Sequence, residues 1–241
     1  HNLRFIIAGN LWGKKRKIIR MLNNWNLRPG ERFAIPTNEL QSSAPVLIRR
    51  KDASNITFAF TWMIPRKLEP SEIYAMNCLN HLLTGTMSSN ILGQARKNGL
   101  VYGMGSDINN GWYDASWDFD GEVNAENSVK LFKLIHKELV KILTGEISDK
   151  DLLNAKSYAT GRYQIGAQTV GQISDYYADG YFTNGTIEKY SNLPTLVKNI
   201  TKDEIVKLAR EFTSSNINAM VAVSSVEKAL IIEMAEQLKF D

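Results

Sequence analysis

Between Tyr113 and Glu122 the residues Y-D-A-S-W-D-F-D-G-E alternate without exception. Tyr113, Ala115, Trp117, Phe119 and Gly121 fall on one side, and Asp114, Ser116, Asp118, Asp120 and Glu122 on the other. A period of two is that of a β-strand, and a strand with one apolar and one acidic face has to stand between a core and water. This stretch therefore requires a sheet covered on one face only. A second run has the same period: Ile56, Phe58, Phe60, Trp62 and Ile64 alternate with Thr57, Ala59, Thr61 and Met63.

The cover for that sheet follows in the sequence. Val129, Phe132, Ile135, Leu139 and Ile142 recur at spacings of three and four, which puts them on one face of a long helix. Further helices are predicted over 15–25, 71–83, 89–97 and 226–238, and from near Ser148 and Thr201, where Thr201-x-x-Glu204 has the form of a capping box. Shorter strands are predicted over 3–8, 46–48, 100–108 and 217–223. Grouped strands, then grouped helices, then one returning strand predict an α+β fold: a largely antiparallel sheet with helices packed on one face.

The two ends of the chain share a pattern. N-L-R-F-I-I-A-G-N at 2–10 matches N-I-N-A-M-V-A-V-S at 216–224, and I-I-R-M-L-N-N-W at 18–25 matches I-I-E-M-A-E-Q-L at 231–238. Each reads as a strand followed by an amphipathic helix, as in an internal repeat. On that reading residues 1–27 form a strand-helix unit closing a preceding homologous half, and 46–241 form the main domain. Residues 28–45, with three of the six prolines and little periodicity, are the expected linker. An unpaired strand in the first unit also invites exchange with a second copy, giving a swapped homodimer.

Composition removes several classes of function. At 241 residues with 44% apolar content the chain can bury a full core. It contains no run of eighteen apolar residues, so no membrane segment is predicted, and no signal peptide is read in the chain as given; a soluble chain, cytoplasmic or periplasmic, is expected, and these absences do not settle its compartment. Net charge is +4, with one basic cluster at Lys14, Lys15, Arg16, Lys17 and Arg20. That cluster can touch phosphate or form a solvated helix face; with no aromatic residues interleaved, nucleic acid is not the expected partner. Cys78 is the single cysteine and excludes an internal disulfide.

Conventional catalytic constellations are missing. The histidines are His1, His81 and His136, and neither H-E-x-x-H nor H-x-x-E-H occurs. Cys78 and His81 lie one helical turn apart, but two ligands do not make a site. The carboxylates Asp114, Asp118, Asp120 and Glu122 are spaced too widely along a strand to wrap one ion. Gly103 and Gly105 form a lone G-x-G inside a predicted strand, not at a strand-to-helix turn where it would cradle phosphate, and there is no G-x-S-x-G. No metal and no self-contained catalysis are expected from this chain.

One segment carries a family resemblance. N-C-L-N-H-L-L-T-G-T followed by M-S-S-N-I-L-G-Q-A-R-K-N-G-L-V-Y-G-M-G-S resembles a segment found in each half of the zinc metallopeptidases of the pitrilysin, insulinase and mitochondrial processing peptidase family. The acidic-faced strand, the long helix to Gly145, I-S-D-K-D-L-L-N-A-K, T-K-D-E-I-V-K-L-A-R-E-F and N-L-R-F-I-I-A-G-N continue the likeness in the family's order. The resemblance implies a half-domain of the processing-peptidase type. In that family one half holds zinc through H-x-x-E-H and a downstream Glu, and the other half is metal-free and grips the peptide.

By this resemblance Arg96 and Tyr102 are the supporting catalytic residues, with Lys97, Ser88 and Ser89 in substrate binding. Zinc is then expected in a partner half, fused or separate, and the substrate is a peptide. Amide hydrolysis passes through an oxyanion, and donors aimed at it lower the barrier; a phenol can donate there, and a guanidinium can grip a peptide carbonyl or carboxylate with two bonds. Five residues separate Arg96 from Tyr102 where the family has six, so the match needs a one-residue deletion around Lys97. The alternative reading is an assembly subunit of the same family that has lost catalysis.

Overall fold

Strict alternation becomes two adjacent strands in the structure, a computed structural model that describes residues 3–31, 33–37 and 39–240. β2 (Asn55–Ile64) and β4 (Ala115–Asn124) pair antiparallel along their full length, Ile56 opposite Val123 and Ile64 opposite Ala115. This register puts Ile56, Phe58, Phe60, Trp62 and Ile64 of β2 on the same face as Ala115, Trp117, Phe119 and Val123 of β4, with Met63 on the other. Phe60 stacks on Phe119 at 4.8 Å between ring centroids, and Trp62 meets Trp117 at 5.7 Å.

Three more strands complete the sheet: β1 (Val46–Arg49), β3 (Val101–Asn110) and β5 (Asn218–Ser224). The order is β1-β5-β2-β4-β3, antiparallel throughout except for the parallel pair β1–β5. The sheet edges are therefore β1 and β3.

The helices of this body are α2 (Pro70–Leu83), α3 (Leu92–Lys97), α4 (Ala125–Leu143), the first part of α5 (Asp149–Ile165), α7 (Leu193–Asn199) from its third residue on, α8 (Lys202–Ser214) and α9 (Lys228–Glu236). α4 and α8 cover the apolar face at β2 and β4, and α9 covers β1. Phe132 of α4 meets Phe58 edge-on at 5.0 Å, and Leu131, Ile135, Leu139 and Ile142 are buried with it. Thr201 caps α8 as its sequence predicts: its hydroxyl accepts from the Glu204 amide, and the Glu204 carboxylate accepts from the Thr201 amide. The predicted fold class is the observed one.

The chain divides into two compact units, Asn38–Thr160 with Thr195–Asp241, and His1–Thr37 with Gly161–Pro194. The second unit contains α1 (Lys15–Asn23) and α6 (Val170–Asn184). Arg4 ties its first segment down by donating to the carbonyls of Tyr181 and Phe182 and stacking over the Tyr181 ring at 4.6 Å. Among its described residues only Leu193 is buried. The predicted strand at Leu3–Ala8 is absent: these residues alternate in exposure, but no ladder pairs them. A strand needs a neighbour for its backbone groups, and the periodicity of one segment cannot supply it.

Boundaries elsewhere shift by a few residues. The predicted helix at 89–97 starts only at Leu92, because residues 86–91 form turns. β4 starts at Ala115, leaving Tyr113 half exposed in the preceding turn.

Candidate functional site

Helix α3 and strand β3 meet at a turn whose geometry follows from one glycine. Gly99 has φ +64°, the left-handed region a side chain disfavours. The Leu100 amide donates to the Ala95 carbonyl at 2.8 Å and the Gly99 amide to the Arg96 carbonyl at 3.0 Å. That pair of bonds is a Schellman cap, and it reverses the chain from helix into strand within three residues.

The strand then departs from regular pairing. Val101 faces Val123 and Met104 faces Gly121, so Tyr102 and Gly103 together oppose Glu122 in a β-bulge. A bulge on an edge strand re-aims side chains. Tyr102 ends up 87% exposed. The Arg96 guanidinium lies over its ring, 5.1 Å from the centroid. Turn and bulge thus bring Arg96 and Tyr102 together across the five-residue spacing, with Arg96, not Lys97, over the phenol. Lys97 is exposed at the last turn of α3.

The two serines diverge. Ser89 is buried; its hydroxyl donates to the His81 carbonyl at 2.7 Å and accepts from the Thr86 amide at 2.9 Å. It fastens the end of α2 to the turn that follows. Ser88 is exposed, its hydroxyl 3.0 Å from that of Thr86. Neither serine caps α3, whose N-cap position is Ile91. Gly93 holds this turn close: a Cβ there would stand 2.5 Å from the Met87 carbonyl oxygen.

Beside Tyr102 the open face of the sheet is acidic. Glu122 accepts from the Asn55 amide group at 2.6 Å, and Asp118 accepts from Asn109 at 2.5 Å and Ser116 at 2.9 Å. Among the described residues no group of three or more His, Cys, Asp or Glu side chains could hold a metal. Burial pushes the Cys78 thiol up to about 12, against the thiolate form a metal ligand needs.

The signal for the bulge was present in the sequence as glycines inside a strand pattern, at 103 and 105. Its register depends on the partner strand and is not readable from β3 alone.

The described residues form a five-stranded sheet covered by helices on one face, with the Arg96 guanidinium over the exposed Tyr102 ring at one edge. The chain belongs to the family described as the peptidase M16 inactive domain, which matches residues 2–158. No curated protein matches the sequence. Its fold is similar to that of a protease from Helicobacter pylori, at TM-score 0.74 and 17% identity over 90% of this chain and 54% of the other. A peptidase M16 inactive domain from Pseudomonas fluorescens is also similar, at TM-score 0.70 and 16% identity over 82% and 48%. A chain of Complex III2 from Candida albicans shares the fold at TM-score 0.76 and 10% identity, over 92% and 56%. This chain spans about half the length of these structures.

Proposed function

We propose that this chain is the metal-free, substrate-positioning half of a zinc-dependent peptidase that cleaves peptides in a chamber between two homologous halves. The zinc belongs to the other half, in a preceding domain or a separate subunit. Residues 1–27 are then the strand-helix unit that completes that preceding half, residues 28–45 the linker, and 46–241 the metal-free domain. The nearly coreless surroundings of α1 support this assignment, because Leu3, Phe5 and Ile7 are each more than 40% exposed and apolar runs of this kind are buried by a partner.

The observation that carries the reading is the exposed Tyr102 under Arg96 at the bulged edge. A phenol so placed can donate to the oxygen that becomes negative as an amide is attacked, and the guanidinium can hold a backbone carbonyl of an extended peptide. Lys97 and Ser88 stand close by in sequence as further substrate contacts, while Ser89 serves the same site by fixing the turn. An edge strand such as β3 offers backbone groups to a peptide with little sequence choice.

The test is hydrolysis of a quenched fluorescent peptide by this chain alone, by the chain with its zinc-bearing half, and by the same mixture carrying Tyr102→Phe. Activity confined to the mixture and reduced by the substitution supports the proposal. The fold shared with a Complex III2 chain favours a second reading, an assembly subunit without catalysis. An assembled, zinc-containing mixture with no activity would select it.

A further inference from the structure

The carboxylates of the sheet gather on its open face without a cation among them. β3 and β4 together hold Asp107, Asp118, Asp120 and Glu122 and no Lys or Arg, in a chain whose net charge is +4. Asp107 stands directly opposite Asp118 in the ladder, Gly105 faces Asp120, and the bulged Tyr102 and Gly103 face Glu122. Among the described residues none of these four carboxylates is in an ion pair. Like charges set opposite each other on adjacent strands destabilise a sheet, and a bound cation relieves that repulsion.

Tyr102 and Glu122 share one cavity. It measures about 610 Å³ at the β3 edge and is lined by both, together with Asn55, Leu100 and Gly103. Asn55 holds one Glu122 carboxylate oxygen through its side-chain amide at 2.6 Å, and no donor among the described residues reaches the other. Arg96 is held over the Tyr102 ring and pairs with none of these acids.

The glycines of β3 leave the carboxylates uncovered on the edge side. A Cβ on Gly103 would meet no atom within 4 Å, and one on Gly105 would stand 3.4 Å from Asp120 Oδ1. Glycines within a strand mark places where another backbone comes close. A peptide added along β3 lies two strand spacings from β4, about 10 Å. Only long side chains passing over Gly103 and Gly105 cross that gap.

This geometry selects among cations. A divalent ion needs several converging ligands, and no group of three or more His, Cys, Asp or Glu side chains could hold one among the described residues. Lys and Arg side chains have both the reach and the charge, and each can donate to the Glu122 oxygen that Asn55 does not use. Peptide residues two apart point to the same face, so a second cation would meet Asp120.

We propose that Glu122 and Asp120 are specificity-determining residues, selecting peptides that carry Lys or Arg at alternate positions and reading them across the glycines of β3. The assignment rests on the peptidase reading for its substrate, and it adds a side-chain preference to the backbone pairing of the edge strand.

The test is fluorescence anisotropy of the full chain with two labelled peptides, identical except for Lys or norleucine at two alternate positions. The Lys peptide should bind more tightly, by about two- to fivefold per cation as for exposed ion pairs, and the preference should fade in high salt. Glu122→Gln keeps an acceptor for Asn55 and removes the charge; combined with Asp120→Asn it should bring the ratio of the two affinities close to one. Because the ratio compares two peptides on one protein, a general loss of folding or binding does not imitate that result. The same ratio is then read in kcat/KM with the zinc-bearing half present. A Lys preference in binding without any hydrolysis would leave this assignment standing and remove the peptidase reading. Hydrolysis with no Lys preference would do the reverse. Failure to bind either peptide, or a Lys preference untouched by the double variant, would also overturn the assignment.

Discussion

The guanidinium of Arg96 lies over the ring of Tyr102, 5.1 Å from its centroid, although one residue ends a helix and the other begins a strand. An exposed cation–π contact of this kind is worth about 0.5–1 kcal/mol. Arg96→Ala should therefore cost no more than about 1 kcal/mol in urea unfolding. In the two-half mixture the same change should lower kcat/KM much more than stability, and Tyr102→Phe should lower kcat by about 100-fold if the phenol is an oxyanion donor. Equal, small effects of both substitutions on activity would reduce the pair to a surface contact.

Gly99 sets the turn that makes this pairing possible. Gly99→Ala places a Cβ at φ +64° and should destabilise by about 1–2 kcal/mol. Gly99→Asn should cost less, because Asn tolerates the left-handed region. Denaturant midpoints of the two variants check the order.

Arg66 joins the start of α2 to α8 through two carboxylates, Glu72 at 2.7 Å and Glu211 at 2.5 Å. Its side-chain hydrogen bond, outweighing desolvation, holds the Glu72 carboxyl below its ordinary value of 4.5. A depressed native pKa contributes stability that is full above the unfolded value and is lost as pH falls through the native one. Acidification from about pH 6 to 3 should thus destabilise the wild type more steeply than Arg66→Met, which removes the shared cation. Loss of the arginine should itself cost about 1–3 kcal/mol at neutral pH, since it leaves two facing carboxylates. Parallel acid limbs for the two proteins would contradict this account.

Cys78 is inaccessible, and burial pushes its thiol up to about 12 from 9.0. A thiol-specific dye at about pH 8 should react with the native protein only as fast as it opens, and fully in urea. The sign of the linkage follows: the unfolded chain loses the proton first, so this group's contribution holds below the unfolded value and is lost as pH rises through 9 towards 12. Cys78→Ala should flatten that alkaline decline. Rapid labelling of the native state would show that the helix is not packed as described.

Much of the fold was legible because it depends on local periodicity. The alternation in β2 and β4, the apolar face of α4 and the Thr201–Glu204 cap each follow from residues within one element, and each is observed. The run of helices between α5 and α8 was legible only as helical, since α6 buries none of its described residues and so has a weak apolar stripe. The capping box of Thr169 and Gln172 marks its start and was there to be read.

The amino-acid sequence by itself determined which faces are apolar, and its likeness to a family singled out Arg96 and Tyr102. Only tertiary structure decided what depends on a second segment. Leu3–Ala8 has the pattern of a strand but no ladder, because its hydrogen bonds need a neighbour. Tyr102 turns outward because β3 pairs with β4 out of register by one residue there, and Arg96 reaches it because Gly99 can take φ +64°. Side-chain identity is local information, whereas register, edges and the meeting of distant groups are settled by which backbones pair.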